Sequence, residues 1–307
     1  MASSSDKPSP PGGWAGRGPA DEPESERPVS QVSLLIAPAA VLIGLVLALL
    51  ATVITTSVGS AFGSPVTHPT PMVNIIASVV TDLCFVGTAL YLVFMSNKIG
   101  GEGRRRMGAR DFGYVRIPLW LGVLGFVIFA VIYYAISFLY SQAAGLHGTD
   151  KLPPELGTSQ VGITAVATTV FACVVAPVCE EFFFRGFLFG VLRRMRVSVG
   201  GISLGPAIAA VLVGVLFGLA HAGSAKSEYL IPLALLGITL CGLRWWTGSL
   251  YPGMALHSLN NCLALGVNQM HWSAAVIVPV MAGSLLVMAL LTGAFSRGNS
   301  QLRPAWP

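Results

Sequence analysis

Eight apolar stretches, each near the length that crosses a bilayer, constrain this chain more than any other feature. A spanning helix needs about 20 largely apolar residues. Such runs occur at roughly 32–55, 72–96, 117–140, 160–192, 204–222, 229–244, 248–266 and 272–295. Lipid offers no partner to an unpaired N–H or C=O, so each run must satisfy its backbone internally. The expectation is an all-α fold, a polytopic membrane helical bundle of about eight transmembrane helices. The chain is 54% hydrophobic and 10% charged, against about 25% charged in soluble domains. A net charge of +5 carries no nucleic-acid inference here, because in a membrane protein the placement of Lys and Arg matters more than their sum.

Residues 1–31 are rich in Ser, Pro, Gly and acid and read as a disordered cytoplasmic tail. The first apolar run starts only near Val32 and is long enough to span, so it reads as a retained helix rather than a signal peptide. Residues 32–159 then hold three spans and an external loop at 141–159, residues 160–295 hold five spans, and 296–307 form a cytoplasmic tail. Basic residues split 15 to 2 between alternate sides of these spans, which places both termini in the cytoplasm. The fourth run is longer than one crossing, so it either tilts strongly or ends in an interfacial segment around "GFLFGVLRRMR". The "CGLRWW" run at 241–246 reads as an interfacial anchor, with Arg244 snorkelling. Five cysteines, all within apolar runs and without a CxxC pair, read as free thiols.

Arg185 is the one basic residue inside a span, in "APVCEEFFFRG". Glu181 and Arg185 are four apart and share a helix face, while Glu180 points about 100° away. His221 closes the fifth run, with Phe217 four residues earlier and able to pack on its ring. His257 and Asn261 are likewise four apart on the seventh run, with Asn260 beside them. Asp82 on the second run has no evident partner, and a role in closing the cavity is open. Each group has a structural reading: Glu181 with Arg185 as a packing ion pair, the histidines as satisfied interior groups, Asn261 as interhelical glue. Together, costly polar groups at matching spacing on three helices resemble an assembled site.

A carboxylate and a histidine at one spot activate water, and a second histidine with an amide stabilises an oxyanion. That set suffices for peptide hydrolysis without a Ser or Cys nucleophile. Ser258 adjoins His257 but should point to another face. Two His and one Glu also form a ligand set of many hydrolytic zinc sites, although no HExxH motif is present. Residues alone leave both routes open.

"EEFFFRG" at 180–186, "FGLAH" at 217–221 and "HSLNN" at 257–261 resemble the EExxxR, FxxxH and HxxxN motifs of the CAAX protease and bacteriocin-processing superfamily (CPBP, or Abi) of integral-membrane proteases, which includes the type 2 CAAX prenyl endoproteases. The resemblance covers about residues 160–266 and makes 160–295 the catalytic membrane domain. It implies Glu180 as general base with His221 as partner in activating water, His257 and Asn261 as the oxyanion hole, and Glu181, Arg185 and Phe217 as support. It also implies, for relatives described as metalloproteases, a metal such as Zn2+ at Glu180, His221 and His257; otherwise no cofactor. The implied substrate is a membrane-embedded or lipid-modified peptide or protein, reached from membrane lipid, and the implied location is a bacterial plasma membrane. A non-catalytic scaffold or bacteriocin-immunity protein is the competing class. An ion-coupled transporter ranks below it, since no internal repeat is present. For orientation, a cytoplasm-active reporter fused at the C-terminus should be active, and a reporter that works only outside the cell should be silent; the reverse pattern inverts the topology.

Overall fold

The computed structural model describes residues 34–99, 106–145, 162–222, 225–267 and 269–294. Among them eight helices follow the expected runs: α1 Ile36–Ala61, α2 Pro71–Ile99, α3 Leu119–Ala144, α4 Ile163–Leu192, α5 Gly205–Ala220, α6 Leu230–Thr247, α7 Tyr251–Gly266 and α8 Ala274–Leu291. Six segments are long and apolar enough to cross a membrane, which makes this an integral, multi-pass membrane protein. The helices α5 and α7, of 16 residues each, are only about 24 Å long at 1.5 Å per residue. The two tails, and all but 141–145 of the expected external loop, lie outside the described residues.

Large apolar side chains on α1 and α3 stay exposed, including Leu42, Leu49, Val53, Val131 and Leu139. On a spanning helix this is the lipid-facing surface. Burial instead concentrates on α4, where residues 181–191 are all buried. The "GFLFGVL" stretch is therefore core within a continued helix, not an interfacial end. Between α4 and α5 a two-stranded hairpin, β1 Ser198–Val199 against β2 Ile202–Ser203, makes the expected turn. Gly200 and Gly201 occupy its positive-φ corner, which any larger residue would strain.

Arg244 departs from expectation: it is buried, with 4% exposure, rather than snorkelling. The segment 106–118 folds back over the end of α6 and is pinned there by two bonds: Leu250 N–H donates to Gly113 O at 2.8 Å and Ser249 Oγ donates to Val115 O at 2.7 Å. Trp245 remains half exposed, and Trp246 turns inward onto Phe129, with ring centroids 6.2 Å apart.

The closest helix contact is α5 against α6, made through glycines. A Cβ on Gly214 would lie 2.7 Å from Ile238 N, and one on Gly237 would lie 2.7 Å from Gly214 Cα. Small residues at such contacts let backbones approach where lipid supplies no hydrophobic drive. Gly237→Ala should thus destabilise the bundle by about 1–3 kcal/mol through overpacking, whereas Gly283→Ala, with open space around it, should be nearly neutral. Thermal unfolding in detergent reads both.

Candidate active site

Helix α4 is not a regular α-helix through the site. It is π-helical at Phe171–Val175 and again at Glu181–Leu188, and single π turns of this kind often mark functional positions. Pro177 lies between the two and lacks an N–H. That N–H would have served the Cys173 carbonyl in α geometry or the Ala172 carbonyl in π geometry, so its loss frees an acceptor at this point of the helix. Helix α7 supplies the replacements: Ser258 Oγ donates to Cys173 O at 2.7 Å, and Asn261 Nδ2 donates to Ala172 O at 2.8 Å. Sequence reasoning set Ser258 aside. The Pro177 spacing was the signal that could have found its role.

This docking places α7 so that His257 reaches the two glutamates. Its Nδ1 is 3.0 Å from Glu181 Oε1, and its Nε2 is 3.7 Å from Glu180 Oε2, beyond hydrogen-bond length but within electrostatic reach. Arg185 closes the other side of Glu181, with its guanidinium 2.8 Å from the same Oε1. Both side chains of that pair are fully buried, while the Glu180 side chain keeps 17% exposure. The adjacent carboxylates therefore differ: Glu181 is held in the interior, and the Glu180 side chain is partly exposed, although its Oε2 is buried without a hydrogen-bond partner. Room for Glu181 comes from Gly253, one turn before His257 on α7, where a Cβ would lie 3.0 Å from Oε2.

Phe217 is the hub between helices. Its ring lies 4.9 Å from the His221 ring, as the four-residue spacing predicts, and 5.6 Å edge-on to the His257 ring. The Arg185 guanidinium stacks 4.3 Å from the Phe217 centroid, a cation–π contact that partly replaces lost hydration. His221 sits at the end of α5, with Nδ1 2.8 Å from the Phe217 carbonyl. A carbonyl only accepts, so that nitrogen carries the hydrogen, and the neutral ring has its lone pair on Nε2. His257 Nε2 is 3.7 Å from Glu180, and the His221 ring packs on Phe217, which also contacts His257.

Asp82 on α2 lies within Coulombic reach of Glu180 and of Cys179, and its Oδ2 is buried without a hydrogen-bond partner. Sequence spacing could not reveal this, since nothing local links α2 to α4. All five cysteines are free thiols. Among the described residues, no group of three or more His, Cys, Asp or Glu side chains is arranged to hold a metal ion. One nitrogen of each ring faces a protein acceptor, the Phe217 carbonyl for His221 and Glu181 for His257, which is the outer contact that a metal-ligating histidine makes through its second nitrogen.

Breaking the buried pair should be costly. Arg185→Met leaves Glu181 charged and unpaired and should lower stability by about 3–5 kcal/mol. Adding Glu181→Gln to that variant should restore part of the loss, as read by thermal unfolding of the single and double variants.

Comparison with known proteins is consistent with this geometry. No curated protein and no solved structure matches the chain. Residues 162–263 match the family model of the type II CAAX prenyl endopeptidase Rce1-like proteins, and this span holds Glu180, Glu181, Arg185, Phe217, His221, His257 and Asn261. The match covers about a third of the chain, and over that third the chain is similar to the Rce1-like type II CAAX prenyl endopeptidases.

Proposed function

We propose that the protein is an intramembrane endopeptidase that hydrolyses a peptide bond of a membrane-embedded or lipid-modified substrate with water activated at Glu180. The observation that carries this reading is His257 lodged between two adjacent carboxylates, one clamped by Arg185 and the other partly open. Glu181 Oε1 lies 2.8 Å from the Arg185 guanidinium and 3.0 Å from His257 Nδ1.

In the reaction Glu180 takes a proton from water, with the His221 Nε2 lone pair ordering the same water, and the hydroxide oxygen bonds to the substrate carbonyl carbon. The His257 Nε2–H, 3.7 Å from Glu180 and not hydrogen-bonded to it, donates to the developing oxyanion together with the second N–H of Asn261. Collapse breaks the C–N bond as Glu180 returns its proton to the leaving amine. The products are a carboxylate and an amine, and no step runs through a metal.

An apolar cavity of about 390 Å³ lies between α2, α4 and the segment 106–118, lined by Val86, Leu90, Phe112, Tyr114, Phe182 and Cys179, the residue before Glu180. It supports a substrate with an apolar or lipid-bearing arm. Both termini are assigned to the cytoplasm on the distribution of basic residues.

Glu180→Gln should leave the unfolding midpoint near that of wild type and lower cleavage of a membrane-peptide library by about 10²–10⁴-fold. His221→Ala should also reduce cleavage, and chelators should have no effect. Mass spectrometry of the products decides: chelator-sensitive cleavage returns a metal to the mechanism. A folded wild type that cuts no lipidated or membrane peptide favours the scaffold reading.

A further inference from the structure

Where α4 and α6 end, the bundle buries positive charge that no acid among the described residues pairs with. Arg244, in the last turn of α6, is 4% exposed, and its Nε is buried without a hydrogen-bond partner. Its guanidinium lies flat against Gly113, where a Cβ would fall 2.6 Å from Cζ. Gly113 also has φ +100°, so the position needs glycine twice over, for conformation and for space. Arg193, immediately after α4, lies within Coulombic reach of Arg244. It sits two helical turns past Gly186, the residue against which Phe112 packs. The ion pairs of the described residues join Arg185 and His257 to the two glutamates and involve neither Arg193 nor Arg244.

Two guanidinium groups held together raise each other's cost, and a buried charge without a counter-charge is among the least tolerable features of a fold. The missing negative charge must then come from outside the described chain. We infer that Arg244 and Arg193, with the Gly113 backbone making the room, form an anion site that takes a phosphate group. Paired guanidinium forks match the oxygens of a phosphate better than those of any monatomic anion. Depth agrees with this chemistry. Arg193 lies about 12 residues, roughly 18 Å, beyond Glu181 along α4, which is the level of lipid headgroups when Glu181 is near mid-membrane. Arg194 and Arg196 flank it and add to the attraction for an anionic surface. The site is separate from the peptidase centre, and its test needs no activity.

The full chain, delipidated in neutral detergent, is titrated with phosphatidic acid, with inorganic phosphate and with diacylglycerol, reading the thermal unfolding midpoint. Phosphatidic acid should raise the midpoint, and diacylglycerol, which lacks the phosphate, should not. Arg244→Gln and Arg193→Gln should each weaken the apparent affinity by about ten- to a hundredfold, the worth of one charged hydrogen-bonding group. Arg194→Gln, at the exposed neighbouring position, should weaken it far less than either of these substitutions. A rise with inorganic phosphate at equal affinity assigns the site to soluble phosphate, and a rise with the lipid alone assigns it to a headgroup. No rise with either phosphate probe, an equal rise with diacylglycerol, or a rise that survives both substitutions overturns the proposal. Should Arg244→Gln fail to fold, Arg193→Gln alone decides, since its side chain is less enclosed.

Discussion

The rest of this structure depends on one fully buried ion pair, Glu181 with Arg185. Neither charge tolerates the interior alone, and the chain surrounds the pair with contacts from every neighbouring helix. Helix α7 brings His257 to the carboxylate, α5 brings the Phe217 ring beneath the guanidinium, and the Gly237 carbonyl of α6 lies 3.5 Å from an Arg185 nitrogen. A pair of this kind adds little net stability over a well-packed apolar core. What it does is penalise every packing in which these four helices are out of register, because any such packing strands a charge.

The same logic explains the irregular backbone of α4. Pro177 removes an N–H, two π-helical segments shift the register, and carbonyls are left that α7 satisfies with Ser258 and Asn261. A backbone defect on one helix thereby becomes an attachment point for another. The attachment sets the height of His257 relative to Glu180 and Glu181, so structural and chemical roles meet on α7. Asn261 secures α4 through one amide N–H donated to the Ala172 carbonyl.

Around this centre, space is made by missing side chains. Gly253 admits the second oxygen of Glu181, Gly214 and Gly237 let α5 and α6 touch backbone to backbone, and Gly113 admits Arg244. Each absence lies opposite a group that could not otherwise fit. The glycines are therefore part of how charges and helices are positioned rather than sites of slack.

Several features were legible in the residues themselves. Run length and the need to satisfy backbone in lipid determined the all-α bundle and its eight helices. Four-residue spacing determined the Glu181–Arg185 pair and the His221–Phe217 stacking, because these are contacts within one helix and helical geometry is local. The hairpin at 198–203 was legible for the same reason. Only tertiary structure decided which histidine touches Glu180, that Arg244 is covered rather than snorkelling, that Ser258 and Asn261 repair the break at Pro177, and that Asp82 faces Glu180. Each of these joins segments far apart in sequence. Their outcome depends on helix depth, rotation and the path of the 106–118 segment, which follow from packing across the whole bundle and leave no mark in any one stretch of sequence.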